Sequence, residues 1–560
     1  MTPAIITCPH CATSLTTSAS VSAGSRFRCP CCRAAFAVPG PDAPAPFGTR
    51  PLPSAAPDET AASGNGWMVL IGVVVLAVLL LAGAGGVLAW RVLAKPESPS
   101  VAATTARPQS PPAPDKPPEN SVNNDPQKNP APRPPPEPPW LPADKQGKVN
   151  AAIKRGVDYL KKMPSPEGTW SFDHATGMAA LPGLTLLECG VPPEDESIQK
   201  AARYVRKSIP NLNTTYELGL AILFLDRLGD QADEPLIRTM ALRLLVGQHS
   251  SGGWTYDCPV PSGKEEQNLL AILQTTRPRS ALDLMVRDGG DGFDGLLSRR
   301  DGNGPSEPIH GSMNPLPTDD DVKRARRFYG GLSPGLQSIP ALAPAIDDDD
   351  MPRGDNTDNS NTQFATLGLW AAGRHGVPME RALARLAQRF QVSQEPRGDW
   401  NYNFIYHPPD GEERPPMTGA GLLGLAVGHG VTADLKADDA PARGEDPQVE
   451  KGMKALAHSI RMMKEPGYLN GKMAGLYFLW SVERVGMLYG RRALDGKEWY
   501  PWGVDLLLPA QNGDGSWYTN GYYGSTPVAD TSFALLFLKR ANLAKDLSTK
   551  LEFLTPVKEK

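Results

Sequence analysis

Residues 248–254 read QHSSGGW and residues 511–517 read QNGDGSW, so two distant segments share a glutamine, a glycine and a tryptophan at the same spacing. Two further glycine–tryptophan elements, Gly168-Thr169-Trp170 and Gly398-Asp399-Trp400, also follow amphipathic segments. A glutamine can bind the end of a helix, a glycine permits a tight turn, and an indole can fill the seam between repeats. The pattern predicts a protein built from repeated helical units.

Two kinds of helical segment surround these elements. One kind is apolar nearly all round and should be buried on every side: Thr176–Cys189, Thr214–Leu228, Thr362–Gly373, Thr418–Val427, Lys472–Val485 and Thr531–Leu538. The other kind carries its charges on one face: Asn150–Lys162, Glu196–Lys207, Pro235–Gln248, Met379–Gln394, Pro447–Met463 and Trp499–Gln511. Six buried helices alternating with six outer ones predict a mainly α fold, an α/α toroid; an α-solenoid is the competing architecture.

The glutamine–tryptophan elements resemble the QW repeat of squalene and oxidosqualene cyclases, which protein prenyltransferase β subunits share in looser form. The resemblance covers roughly residues 148 to 548. It is nearest to bacterial membrane-anchored proteins with prenyltransferase/squalene-oxidase repeats, through residues 358–365, 481–486 and 530–538. It implies a terpenoid cyclase-like toroid over residues 148–560, interrupted by an irregular acidic insertion at about 259–358 that holds one helix near Lys264–Thr275.

The resemblance also implies where a cyclase would hold its acid, in a DxDD motif directly before an inner helix. Asp347 to Asp350 match those letters but are followed by Met-Pro-Arg-Gly, whereas Ser360 and Asn361 occupy the two acid positions before Thr362. We therefore expect that proton-initiated cyclisation is lost. Weak catalytic candidates remain at Asp349, Asp350 and Asp358.

Other chemistry of this family is also not recognisable in the sequence. No DDxxD cluster is present to hold magnesium on a diphosphate, and only Cys189 and Cys258 follow the apolar segment at 67–90. A prenyltransferase-type zinc site from Asp257, Cys258 and a distant histidine such as His407 is conceivable but unsupported. We expect a non-catalytic domain that binds a hydrophobic ligand or a protein partner, with a divergent cyclase or prenyltransferase acting on an isoprenoid as the alternative.

A ligand cavity is the remaining functional prediction for the toroid. Its expected lining consists of aromatic residues in the connecting loops and amides at helix starts: Trp170, Trp254, Asn361, Gln363, Trp400, Tyr402 and Trp517. Such a lining can bind an isoprenoid, a glycan or a peptide. Packing at the repeat seams is the alternative role for most of the tryptophans.

The N-terminus carries five of the seven cysteines within 32 residues. Two CxxC pairs separated by 17 residues predict a structural zinc ribbon over residues 1–40, with Cys8, Cys11, Cys29 and Cys32 as ligands and Cys31 as a substitute for Cys32. The stretch 6–38 also resembles the zinc-ribbon finger at the N-terminus of membrane-anchored bacterial proteins. Four thiolates leave no open position for catalysis, so the ribbon is expected to bind or sense a partner.

A linker over 41–66 leads to Trp67–Trp90, 24 uncharged residues that predict one transmembrane helix. Residues 91–147 form a Pro-rich spacer, in which 17 of the 47 residues from 96 to 142 are proline. The positive-inside rule favours a cytoplasmic C-terminal part. A thiolate site is better kept reduced inside the cell, so we expect the ribbon in the cytoplasm and the toroid outside. With a net charge of −4, no nucleic-acid partner is expected.

Overall fold

The computed structural model is mainly helical, which confirms the predicted fold class at that level. It describes residues 139–162, 164–280, 283–284, 293–298, 317–352, 355–404, 414–435, 446–463, 475–522 and 524–554, and the backbone of four short strands between residues 4 and 37. The chain divides into two compact units, Met1–Asn129 and Pro130–Lys560.

The first unit contains two antiparallel hairpins. Strand β1 (Ala4–Thr7) pairs with β2 (Ser14–Thr17), and β3 (Arg26–Arg28) pairs with β4 (Ala35–Ala37). The connection 8–13 contains the first cysteine pair of the sequence, and the connection 29–34 contains the second. The cysteines themselves, the apolar segment 67–90 and the spacer up to residue 138 lie outside the described residues.

No helix among the residues that the structure describes is long and apolar enough to cross a membrane. The helices of the second unit are α1 (Ala143–Lys162), α2 (Gly177–Glu188), α3 (Glu196–Ser208), α4 (Thr215–Leu228), α5 (Glu234–Gly247), α6 (Gly263–Thr275), α7 (Phe293–Ser298), α8 (Asp319–Gly330), α9 (Pro334–Gln337), α10 (Asn359–Gly373), α11 (Glu380–Val392), α12 (Pro415–Leu435), α13 (Pro447–Met462), α14 (Gly475–Leu488), α15 (Trp499–Ala510), α16 (Pro527–Lys539) and α17 (Lys545–Leu554). A two-residue hairpin of β5 (Ala493–Leu494) and β6 (Lys497–Glu498) precedes α15.

Six of these helices pack in a cyclic order. Helix α2 contacts α4, and contacts then run from α4 through α10, α12 and α14 to α16, which packs back against α2. We call α2, α4, α10, α12, α14 and α16 the ring helices. They match the segments predicted to be apolar all round, and most of their residues are buried.

The amphipathic helices α1, α3, α5, α11, α13 and α15 each pack on at least one ring helix. Their starts follow from local sequence. Asp195 begins α3 by accepting a hydrogen bond from the backbone N–H of Ser197, and Asp446 caps α13 through the N–H of Gln448. Such caps satisfy donors that a helix leaves unpaired in its first turn.

The insertion at 259–358 is more ordered than the sequence analysis expects. Helix α6 begins one residue before its predicted start and ends at its predicted end. The insertion also contains α7, α8 and α9. Thr318 and Asp321 form a capping box at the start of α8, so part of the acidic run that suggested a loop is the first turn of a helix. Helix α6 packs against α5 and α8, which places it beside an amphipathic helix and outside the ring helices.

The C-terminal helix α17 was not predicted. It packs against α12 and α14, with Leu547 fully buried. A Cβ added at Gly430 of α12 would meet Leu547, and the indole N–H of Trp370 near the end of α10 donates to Asp546 at 3.0 Å. Helix α17 therefore packs beside the C-terminal ends of α10, α12 and α14.

Candidate functional site

The four repeat tryptophans occupy equivalent positions in the seams between helices. Each indole N–H donates to the backbone carbonyl ten residues earlier, with nitrogen–oxygen distances of 2.7–2.9 Å. All four are buried, with 0–9% of the side chain exposed: Trp170, Trp254, Trp400 and Trp517. These contacts give the four tryptophans the packing role considered as the alternative to a cavity lining.

The repeat glutamines connect successive amphipathic helices. Gln248 Nε2 donates to the carbonyls of Gly252 (3.1 Å) and Ala382 (2.8 Å). Gln394 Nε2 makes the same pair of bonds, to Gly398 and Gln448, and the sequence analysis missed it. The spacing that links Gln248 to its glycine and tryptophan also occurs from Gln394 to Gly398 and Trp400, so the signal was present in the sequence.

The mouth, defined here as the N-terminal ends of α4, α10 and α14 with the adjoining loops, is lined by aromatic side chains. Tyr216 at the start of α4 lies 5.0 Å from Phe364 of α10 and 6.1 Å from Tyr256, measured between ring centroids. The hydroxyls of Tyr256 and Tyr402 are 3.1 Å apart, and 58% of Tyr256 is exposed. Of the predicted cavity residues, Tyr402 thus lies at the mouth.

A chain of hydrogen bonds leads from the mouth into the ring. The hydroxyls of Ser360 and Tyr477 lie 2.8 Å apart. The same Tyr477 hydroxyl accepts a hydrogen bond from Nε2 of Gln363. The Oε1 atom of Gln363 in turn accepts a hydrogen bond from Nη2 of Arg484. Gln363 is fully buried and Arg484 is 5% exposed. The predicted cavity residue Gln363 therefore connects the mouth to a buried cation.

Aromatic side chains of three ring helices pack around this chain. The ring of Trp480 lies 5.0 Å from that of Phe533 and 5.6 Å from that of Phe364, and Tyr477 lies 5.7 Å from Phe533. This cluster joins α10, α14 and α16 and gives the ring interior an aromatic and largely apolar character.

The three weak catalytic candidates lie in different environments. Asp349 and Asp350 are exposed, in a turn next to Asp348, which accepts from Gln388 of the amphipathic helix α11. Asp358 is 2% exposed at the start of α10 and accepts from the backbone N–H and the side-chain amide of Asn361, at 2.7 and 2.8 Å. Burial raises the pKa of Asp358 above its ordinary value. Of the three catalytic candidates, Asp358 alone lies at the mouth, where it binds the predicted cavity residue Asn361.

Another buried carboxyl near the start of a ring helix, Asp530 of α16, was missed by the sequence analysis. Asp530 directly precedes Thr531, whose hydroxyl accepts from the backbone N–H of Trp517, just as Thr362 accepts from that of Trp254. Asp530 therefore stands at the position that Asn361 occupies in the other repeat. Its Oδ2 accepts three hydrogen bonds, its Oδ1 has none, and burial raises its pKa.

The cysteines of the helical unit have the chemistry of buried thiols. Cys258 is 3% exposed beside the hydroxyl of Thr215, and burial raises its pKa to about 12. Burial also raises the pKa of Cys189 to about 12. His407 and the four predicted zinc ligands lie outside the described residues. Within the described part of the chain, no three His, Cys, Asp or Glu residues are grouped so as to hold a metal.

Tyr216, Tyr477 and Arg484 are the other site residues that sequence reasoning missed. All three lie inside segments predicted only as buried helices. Arg484 also lies in the stretch 481–486 that carries the resemblance, but nothing in the sequence marks it as a site residue. No family model and no curated protein matches the chain.

Proposed function

We propose that this chain is a membrane-anchored ligand-binding protein whose helical unit is an α/α toroid of the cyclase/prenyltransferase repeat type. The ring helices would form its inner ring and the six amphipathic helices its outer ring. The contact of α16 with α2 supports a closed toroid over an open solenoid, because the last unit of a solenoid does not meet the first. The repeated bonds of Gln248, Gln394 and Gln511 support the QW-repeat assignment.

The observation that carries ligand binding is the aromatic mouth with its polar chain into the ring. Apolar walls with a few convergent polar groups are typical of small-molecule sites. Here the apolar side chains are Phe364, Trp480 and Phe533 of the aromatic cluster, and the polar groups are Gln363 and Tyr477. A hydrophobic ligand, an isoprenoid among the candidates, fits this lining; a protein partner of the ribbon or toroid is the other candidate.

A non-catalytic role is supported by how the mouth residues are used. Ser360 stands where the resemblance places the cyclase acid, and its hydroxyl interacts with that of Tyr477. Asp358 caps α10. The alternative, a divergent terpene cyclase or prenyltransferase-type enzyme, is favoured by two buried carboxyls near the N-terminal ends of ring helices α10 and α16. Burial raises the pKa values of both, Asp358 and Asp530, and an alkene is protonated by a neutral acid.

The N-terminal proposals are a structural zinc ion on Cys8, Cys11, Cys29 and Cys32, one membrane span over 67–90, and a cytoplasmic ribbon. The two hairpins support the zinc site, because each cysteine pair lies in the connection between paired strands. Short connections of this kind bring two thiolates together.

The test is native mass spectrometry of the full-length protein, in neutral detergent, after incubation with an isoprenoid-containing lipid extract. A lipid recovered unaltered supports a binding protein. The enzyme alternative is established if the wild type changes the mass of the recovered lipid and the Asp358→Asn/Asp530→Asn double variant leaves that mass unchanged. The exposed Asp349→Asn variant is the matched control. No bound lipid would refute the hydrophobic-ligand proposal.

A further inference from the structure

Arg484 is a buried cation in the aromatic interior of the ring. Its guanidinium carbon lies 4.3 Å from the centre of the Trp480 ring, which packs against Phe533 and Phe364. Only 5% of Arg484 is exposed. Burial lowers its pKa to about 10, so the side chain keeps its charge at neutral pH.

Few of the Arg484 donors are satisfied by the protein. Nη2 donates to the neutral amide oxygen of Gln363, whereas Nε and Nη1 are buried without a hydrogen-bond acceptor. The indole nitrogen of Trp480, on the ring beneath the guanidinium, also has no acceptor. Buried polar groups almost always have partners, so this set of donors points to a missing acceptor.

The neighbouring carboxyl does not supply that acceptor. Glu483 is fully buried, and neither of its oxygens accepts a hydrogen bond. Among the described residues, no ion pair within 4.0 Å joins a carboxylate to Arg484. Burial raises the pKa of Glu483 well above its ordinary value, which favours the neutral acid. A buried cation without a counter-charge is strongly destabilising.

We propose that the ligand of the ring carries an acidic head group that binds the Nε and Nη1 donors of Arg484, with its apolar part against Trp480 and Phe364. The inference rests on the ligand-binding function proposed above and specifies the chemical class: an acidic amphiphile. A carboxylate and a phosphate monoester share the required chemistry, because both present two or more anionic acceptor oxygens. Entry is from the mouth, where Tyr477 and Gln363 lead to Arg484, since α17 packs at the opposite, C-terminal ends of α10, α12 and α14.

The first test compares dodecanoate, dodecyl phosphate and uncharged dodecanol by native mass spectrometry of the full-length protein in neutral detergent. We expect the wild type to retain at least one acidic amphiphile roughly tenfold to hundredfold more tightly than dodecanol, the range that a charge-assisted hydrogen bond supplies. Arg484→Gln should lose that preference. Arg203→Gln, which changes an exposed arginine of α3, should keep it. The two acidic probes distinguish a carboxylate from a phosphate ligand.

The second test does not depend on Arg484→Gln folding. In Gln363→Glu a carboxylate replaces the amide that already accepts from Arg484. It should raise the melting temperature and abolish binding of the acidic amphiphiles. Equal retention of dodecanol and dodecanoate would overturn the acidic head group while leaving hydrophobic-ligand binding intact. If the wild type binds none of the three amphiphiles and Gln363→Glu has a lower melting temperature than the wild type, both the acidic head group and hydrophobic-ligand binding are overturned.

Discussion

Gln511 donates a hydrogen bond of 3.0 Å from its side-chain amide to the backbone carbonyl of Ala152, 359 residues earlier in the chain. Ala152 lies in α1, the first amphipathic helix of the helical unit, and Gln511 directly follows α15, the last of that kind. The same amide also binds the carbonyl of Gly515. One side chain therefore joins the last repeat to the first.

We expect Gln511→Ala to destabilise the helical unit by about 1–3 kcal/mol, because it removes two hydrogen bonds that each contribute about 0.5–1.5 kcal/mol. The carbonyls of Ala152 and Gly515 would each lose a donor. Chemical denaturation of the full-length protein measures the change. Gln391→Ala, an exposed glutamine on α11, is the control and should be nearly neutral. An equal effect of the two substitutions would contradict the closing role of Gln511.

The repeat glycines allow a test that separates backbone strain from steric conflict. Gly252 and Gly229 have similar positive φ angles, 80° and 77°. A Cβ added at Gly252 would lie 2.5 Å from the carbonyl oxygen of Arg385. A Cβ added at Gly229 would have no neighbouring atom within 4 Å. Gly229→Ala should therefore cost only the left-handed strain, roughly 1–2 kcal/mol.

Gly252→Ala should cost clearly more than Gly229→Ala, because it adds a backbone collision between repeats to the same strain. Thermal denaturation followed by circular dichroism ranks the two variants. Equal melting temperatures would show that the seam can shift to admit a methyl group, and would contradict a steric cost from the contact with Arg385.

The zinc prediction can be tested by metal content. The full-length protein should carry one zinc ion, and Cys8→Ser should reduce the bound zinc because a structural site needs all four ligands. Cys31→Ser is the matched control and should retain zinc if Cys32 is the fourth ligand. If Cys32→Ser keeps its zinc and Cys31→Ser loses it, then Cys31 is the fourth ligand and Cys32 is not.

Sequence reasoning was most successful where the signal is local. The segment predicted at Glu196–Lys207 is a helix from Glu196 to Ser208, because the placement of its charges on one face is visible in the sequence. The seam elements could be recognised for the same reason, since their glutamine, glycine and tryptophan lie within seven consecutive residues. The acidic start of α8 was misjudged because a capping box and a solvated acidic loop share the same letters.

The site was less predictable because it depends on contacts between distant helices. Tyr477 meets Ser360 across 117 positions, and Arg484 meets Gln363 across 121. A helix that is apolar nearly all round has no polar stripe to show which face points into the ring, so the inward direction of Arg484 could not be derived from periodicity. The four tryptophans show the same limit: their burial at the repeats is predictable, but the sequence leaves open whether each one lines a cavity or packs in a seam.

Glu483 provides a prediction about pH. Its carboxyl is fully buried, and burial raises its pKa well above the ordinary value of 4.5. The charged groups that act on it are Arg484 and Arg540, which lower the pKa, and Glu188, which raises it. A carboxyl that is harder to ionise in the folded state stabilises the fold fully below pH 4.5, and this contribution is lost as the pH rises towards the folded pKa.

The free energy of unfolding of the wild type should therefore fall by about 1.4 kcal/mol per pH unit from this one group over that interval. Glu483→Gln keeps the size of the side chain and removes its proton, so the fall should be absent and the variant should gain stability relative to the wild type as the pH rises. Urea denaturation at a series of pH values measures both curves. Glu194→Gln, an exposed carboxyl, should follow the wild type. If Glu483→Gln also followed the wild type at every pH, Glu483 would be ionised in the fold and would already neutralise Arg484, and no acidic ligand would be needed there.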